Sequence, residues 1–242
     1  MTINQKIEHW LTSHKCNLSQ AKRPFVTLSY AQSWDGSITT RSGESLALSG
    51  AEATRLTHQL RSLHDGILVG IGTVLTDDPQ LTVREWSGPN PQPIVLDSQL
   101  RMPVNARLCH HADKNCWVLT RTKDVNEYSN QVEIITLDSD IDGRVNLLDA
   151  LALLWEKGIK MLMVEGGSDV ITAFLKAQLA DALVLTVAPT LVGGYKGVGN
   201  LGISHQHLLP QIRPLSVEML GDDLIMWGDL RYQPSSLVQS GL

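Results

Sequence analysis

The sequence predicts an α/β fold: a mostly parallel central sheet with helices on both faces and an antiparallel hairpin at the C-terminal end. Three observations carry this. Short, wholly apolar runs alternate with helix-period segments, and strands buried on both faces read as continuous apolar runs rather than alternating ones. Several of those runs end in glycine turns, as βα units do. Near the C-terminus, LSVEML (215–220), a GDD turn and LIMWGDLRY (224–232) pair as a hairpin.

The first 22 residues are polar, with Ile7, Trp10 and Leu11 as a weak apolar stripe on a short helix. They are predicted to be an N-terminal appendage. PFVTLSYAQ, from Pro24, reads as a buried strand and WDG as a turn. Ser49-Gly50-Ala51-Glu52 has the spacing of a capping box, and Leu56, Leu60 and Leu63 share one face of the helix that should follow. GILVGIG (66–72), PIVLDS (93–98), CWVLTR (116–121) and VEIITLD (132–138) are further strand candidates. Leu147, Leu151, Leu154 and Trp155 have helical spacing, and Gly158 sits where that helix should stop. MLMVEGG (161–167) reads as a buried strand running into a turn and a helix to about Leu179, followed by the strand DALVLTVAP (181–189). No linker or repeat divides the chain. One domain over 23–232 is predicted, with residues 233–242 as a flexible tail.

Composition narrows the function classes. The net charge is −5 and no basic run exists, which argues against a nucleic-acid partner. No stretch approaches the length of a membrane span. Three widely spaced cysteines, Cys16, Cys109 and Cys116, fit a reducing compartment rather than a disulfide framework. The N-terminus lacks an apolar leader, so a cytoplasmic location is expected.

Two motifs are lures. Gly197-Val198-Gly199-Asn200-Leu201-Gly202 matches G-x-G-x-x-G, but it follows a loop and soon meets Pro210. A dinucleotide fingerprint must close a strand and open a helix. Cys109, His110, His111, Asp113 and Cys116 are the right elements for zinc in the wrong spacing. His205-Gln206-His207 is no better, and no metal is expected. Two other segments are stronger. VGIGTVLTDDPQLTVR (69–84) delivers Gly70, Gly72, Thr73, Asp77, Asp78 and Arg84 beyond the end of an apolar strand, where open α/β sheets bind ligands. VEGGSD (164–169) puts Glu165 at a strand end and Gly166 and Gly167 before a helix whose free amides suit a phosphate.

SGES (42–45), LR (60–61), VGIGTVLTDDPQLTVR, VLDS (95–98), VEGGSD and APTLVGG (188–194) occur in this order. Together they resemble the reductases of the riboflavin-pathway pyrimidine family, over residues 24 to about 230. The resemblance implies a dihydrofolate-reductase-like fold, a homodimer, and NADPH-dependent reduction of the ribosylamino group of a pyrimidine 5′-phosphate to a ribityl chain. By motif position it implies a cofactor site of Gly72, Thr73, Asp77, Ser98, Gly166, Gly167, Ser168 and Asp169. It implies a substrate site of Ser45, Arg61, Leu81, Arg84 and Glu165, with both arginines on the 5′-phosphate, where a guanidinium makes bidentate contacts. Glu165 and Asp77 are the candidate catalytic carboxylates. The chain departs from the bacterial pattern at Ser29, where lysine is usual, and at Ala47, where tryptophan is usual. LSYAQS resembles the archaeal and fungal branch, which reduces before deamination. No zinc-deaminase motif is present. The alternatives are an NADPH reductase of another pterin- or pyrimidine-like compound on the same fold, and an NADP(H)-binding protein without catalysis.

Overall fold

The apolar runs become strands of one sheet. The computed structural model describes residues 1–16, 18, 22–110, 113–122, 128 and 131–233. Along the chain the order is α1 (Ile3–Lys15), β1 (Phe25–Ser33), β2 (Ser37–Thr39), α2 (Ala51–Leu63), β3 (Gly66–Gly70), α3 (Ile71–Asp77), β4 (Gln92–Leu96), β5 (Cys116–Thr120) and β6 (Val132–Thr136). Then come α4 (Leu147–Glu156), β7 (Met161–Val164), α5 (Ser168–Lys176), β8 (Ala182–Ala188), β9 (Tyr195–Lys196), β10 (Gln211–Leu220) and β11 (Asp223–Arg231).

The main sheet has the order β10-β11-β8-β1-β7-β3-β4-β5-β6, and β2 pairs with β9 in a small second sheet. From β8 across to β6 all neighbours are parallel; β11 joins β8 antiparallel and β10 joins β11 antiparallel. This is the predicted architecture. The hairpin is longer than expected, because β10 begins at Gln211 and continues through a register shift between Ile212 and Leu215.

Side chains alternate across the strands, so the sheet carries two cores. One face buries Ile67, Val69 and Val95 with α1, α2 and α3; the other buries Leu28, Leu68 and Ile94 with α4 and α5. Phe174 of α5 is fully buried in the second core. Asn146, by accepting from the amides of Leu148 and Asp149, caps α4.

Two local expectations are corrected. The N-terminal segment, read as an appendage, puts α1 onto the body of the protein. Ile3, Ile7 and Leu11, one turn apart, are 6%, 0% and 2% exposed and join the core under α2. Trp10 Nε1 also donates to Asp229 on β11 at 3.0 Å. The capping box at Ser49 does not form. Gly50 is the N-cap of α2 and has no side-chain cap bond. Its amide donates instead to the buried carboxylate of Asp223 at 2.8 Å, a partner 173 residues away that local spacing cannot reveal. Of the residues expected in the C-terminal tail, 234–242 lie outside the described residues, as does His111 of the zinc-like cluster. Among the described residues no group of three His, Cys, Asp or Glu side chains is placed to hold a metal ion. Among them also no helix is long and apolar enough to cross a membrane.

Candidate active site

Parallel strands send their C-terminal ends to the same edge of the sheet. Ser29 and Tyr30 from β1, Gly70 from β3, Glu165 just beyond β7 and Thr186 from β8 meet there in a cleft of about 590 Å³, the size of a small-molecule site. One wall is the loop 42–49, including Ser45 and Ala47. A second is the face of α2 that carries Thr54, Thr57, His58 and Arg61. A third is α3 with Gly72, Thr73 and Asp77, and beside it the start of α5 with Gly166, Gly167, Ser168 and Asp169.

Missing side chains let α3 and α5 converge. A Cβ on Gly70 would lie 2.6 Å from Val170 Cγ2, so the end of β3 and the start of α5 pack at this distance only with glycine. A Cβ on Gly167 would meet nothing nearer than Thr73 Oγ1 at 3.7 Å, so glycine there keeps the cleft open rather than relieving a clash. The Gly167 amide donates to Thr73 Oγ1 at 3.3 Å. Gly167 is the N-cap of α5 and supplies no side-chain cap, so the first-turn amides have no intrahelical partner. Amides in that state at a nine-residue helix suit a pyrophosphate, and this cradle fits the nicotinamide dinucleotide that the resemblance implied.

On the opposite wall, Arg61 and Glu165 form a two-pronged ion pair. Arg61 Nε donates to Oε2 at 2.9 Å and Nη2 to Oε1 at 2.6 Å, while Nη1 donates to the Thr82 carbonyl at 3.0 Å. Arg61 is buried; burial opposes its charge, and Glu165 outweighs the burial and holds the pKa above its ordinary value. Arg84 differs. It is exposed, its Nη1 donates to Thr82 Oγ1 at 2.9 Å, and no carboxylate pairs with it among the described residues. Partial burial, then the charges of Arg61 and Arg107, lower its pKa. Arg61 thus arrives at the cleft already neutralised, and Arg84 brings an unpaired charge.

Two expected site residues lie elsewhere. Leu81 is 1% exposed and belongs to the core beneath α2 and α3. Its backbone is left-handed, with φ at 56°, after the Asp-Asp-Pro turn, and its side chain packs in that core rather than on the cleft wall. Ser98 lies past the end of β4, outside the cleft wall, where its hydroxyl accepts the Val145 amide at 3.0 Å. The glycine pattern at 197–202 opens no helix. A Cβ on Gly197 would lie 2.9 Å from the Tyr30 ring, and the Gly199 amide donates to Thr172 Oγ1 of α5 at 2.8 Å.

Sequence reasoning missed three participants. Burial pushes the Tyr30 phenol on the cleft floor up to about 12. His58 sits one turn before Arg61. Asp35, in the WDG turn, accepts from the hydroxyls of Ser33 and Ser37, the amides of Val192 and Gly193, and Lys196 Nζ, all between 2.7 and 3.0 Å. The Ser33 bond first, then Lys196, hold its carboxyl well below the usual carboxylate range. Asp35 thus ties the WDG turn to the APTLVGG segment, 157 residues away at Val192, and the only local signal for the tie was the turn itself.

Over residues 24–226 the sequence matches the family described as the RibD C-terminal domain. The chain belongs to that family. It is 34% identical over 207 residues to the riboflavin biosynthesis protein RibD of Aquifex aeolicus, a match covering 85% of this chain and 58% of that protein. The chain therefore spans little more than half of that RibD relative. It is also 34% identical over 213 residues to the 2,5-diamino-6-ribosylamino-4(3H)-pyrimidinone 5′-phosphate reductase of Methanothermobacter thermautotrophicus, covering 84% of this chain and 97% of that one. Among solved structures it resembles the riboflavin biosynthesis reductase Rib7 of Saccharomyces cerevisiae, with a TM-score of 0.74, 26% identity and coverage of 93% and 99%. The RibD of Acinetobacter baumannii shares the fold, with a TM-score of 0.76 at 23% identity over 89% of this chain and 60% of that one.

Proposed function

We propose that this RibD C-terminal domain protein is a cytoplasmic, NADPH-dependent reductase that converts the ribosylamino group of a pyrimidine 5′-phosphate to ribitylamino. One observation carries the reading. An uncapped α5 N-terminus and an arginine–glutamate cluster face each other across one cleft, so a dinucleotide pyrophosphate and a phosphorylated substrate can be held side by side. Relatives named as pyrimidinone 5′-phosphate reductases support the same chemistry. They do not favour the alternatives of another pterin-like substrate or a non-catalytic binding protein.

In this reading the amides of α5, with Thr73 and Asp77, bind the cofactor, which supplies hydride. Arg84 grips the 5′-phosphate with its unpaired charge. Arg61 holds both oxygens of Glu165, so Glu165 acts as an oriented carboxylate acceptor for the pyrimidine or ribosyl end rather than as a proton source. Ser45 meets the substrate from the loop wall. Ser98 lies outside the cleft wall and serves the distal end of the nucleotide. The cytoplasmic assignment rests on the three cysteines, none of which is bridged.

A homodimer is part of the proposal. Leu215, Val217 and Met219, alternate residues of β10, are 48%, 44% and 60% exposed. Such a stripe on a sheet edge is an association surface. Val217→Lys with Met219→Lys should shift the mass in light scattering from two chains to one.

The reductase reading is tested by following NADPH absorbance with the amino and deaminated ribosylamino-pyrimidine phosphates in turn. Oxidation with one form identifies both the activity and the order of reduction and deamination. Silence with both, in a protein that binds NADPH, ends the proposal.

A further inference from the structure

His58 is a cleft residue that none of these roles uses. It shares the cleft-facing stripe of α2 with Thr54, Thr57 and Arg61, three and four residues apart. Its side chain is packed, at 2% exposure, and its Nδ1 accepts the backbone N–H of Arg84 at 3.0 Å. A backbone N–H can only donate. Nδ1 therefore carries the lone pair, and the neutral ring holds its proton on Nε2. That donor has no protein acceptor among the described residues, on a ring that lines the cleft.

The charged groups around the ring come from three elements: Arg61 on α2, Arg84 and Glu85 on the segment after α3, and Glu165 beyond β7. Burial first, then the two arginines, keep the imidazole below its ordinary pKa, against the two glutamates. Protonation would also turn an Nδ1–H against the Arg84 amide and break that bond. Tautomer and charge are thus both fixed by the fold.

We propose that His58 is a substrate-positioning residue: its neutral Nε2–H donates to an oxygen of the phosphate group between Arg61 and Arg84, while Nδ1 fixes the backbone from which Arg84 reaches the same group. The assignment rests on the reductase reading for the identity of the ligand. The need for it is visible in the site. A phosphate dianion offers three oxygens, Arg61 is already committed to Glu165 and Thr82, and Arg84 alone cannot satisfy them. His58 is the adjacent donor that adds no charge.

The test compares His58→Asn with His58→Gln. Asparagine puts an acceptor near the Nδ1 position and loses the Nε2 donor; glutamine reaches the Nε2 position with an amide donor. Ribose 5-phosphate is the probe, titrated calorimetrically into the full chain. The Asn variant should bind it about tenfold more weakly, Gln should recover most of the loss, and NADPH affinity should be unchanged in both. In turnover, KM should rise while kcat holds. Because the variants can perturb packing, ¹⁵N spectra of wild-type His58 provide a second reading. The proton should sit on Nε2, and that signal should move when ribose 5-phosphate is added. Unchanged sugar-phosphate affinity in the Asn variant, an equal loss of NADPH binding, an unmoved Nε2 signal or a wild type that ignores ribose 5-phosphate would each overturn the assignment. Ribose 5-phosphate binding with no turnover of either pyrimidine would instead sink the reductase reading and leave His58 in place.

Discussion

Replacing either partner of the Arg61–Glu165 pair removes the same two hydrogen bonds, yet the two losses should not cost the same. The Arg61 side chain is 9% exposed and that of Glu165 is 25% exposed. Glu165→Leu strands a buried guanidinium whose one remaining partner is the Thr82 carbonyl. An uncompensated buried charge of this kind costs about 3 kcal/mol, the low end of the range for broken buried pairs. Arg61→Met leaves a carboxylate on the cleft wall that water can reach, and about 1 kcal/mol is the scale for lost bonds that solvent replaces. The gap of about 2 kcal/mol corresponds to a melting-temperature difference of roughly 4–8 °C for a chain of this size. Urea denaturation of both variants, with m-values matched to wild type, measures it directly. If Arg61→Met costs as much as Glu165→Leu, or more, the argument from unequal burial is wrong.

Arg84→Ala should raise the KM for the phosphorylated pyrimidine by about tenfold or more, the scale of a bond to a charged group, and leave NADPH affinity intact; steady-state kinetics with equilibrium cofactor titration checks both. Gly70→Ala and Gly167→Ala should separate folding from binding. The first drives a methyl to 2.6 Å from Val170 and should lose about 1–3 kcal/mol in denaturation. The second meets only Thr73 Oγ1 at 3.7 Å, so it should keep its stability and lose NADPH affinity. His64 makes stability pH-dependent. Its Nδ1–H donates to the Leu60 carbonyl at 2.7 Å, Nε2 accepts from Thr27 Oγ1 at 2.9 Å, and burial lowers its pKa to about 4. The folded pKa lies below the unfolded one, so the contribution is present above the ordinary histidine pKa and is lost as pH falls toward 4. Its share of the drop in unfolding free energy between pH 7 and pH 5 is about 2 kcal/mol, and the drop should shrink in His64→Gln.

The sheet was legible because its signal is local: β3 and β7 are apolar from end to end, β8 is apolar but for Thr186, and β3 and β8 each follow an aspartate. The cleft was legible in outline, since Gly72, Thr73, Asp77, Gly166, Gly167, Ser168 and Asp169 line it together with Ser45, Arg61, Arg84 and Glu165. What failed had non-local causes. The stripe of Ile7, Trp10 and Leu11 pointed to a helix but not to its destination, which α2 and β11 supply. Leu81 carried a position in a motif, and packing buried its side chain in the core away from the cleft. Ser98 was assigned the same way and turned out to hold the Val145 amide. Arg61 and Glu165 were each assigned a ligand from sequence, and only three dimensions show that each is the other's first partner. His58 offered no signal beyond its helical spacing from Arg61, because its tautomer is set by an amide 26 residues downstream.

The order of strands has a consequence during synthesis. β1 is made among the first 33 residues, yet both of its sheet neighbours, β7 and β8, come from beyond residue 160. A nascent chain that has reached only β6 holds β3 to β6 as a stack, with the edge of β3 open and β1 unpaired on either side. The gap closes when Met161–Val164 slide between them and register Leu28 and Leu68 against Val164. The middle of the sheet thus stays open until β7 is made, long-range pairing of this kind is slow, and open apolar edges are sticky while they wait. Ribosome-bound chains stalled before residue 160 should therefore be the ones that recruit chaperones, and those released after β8 should not.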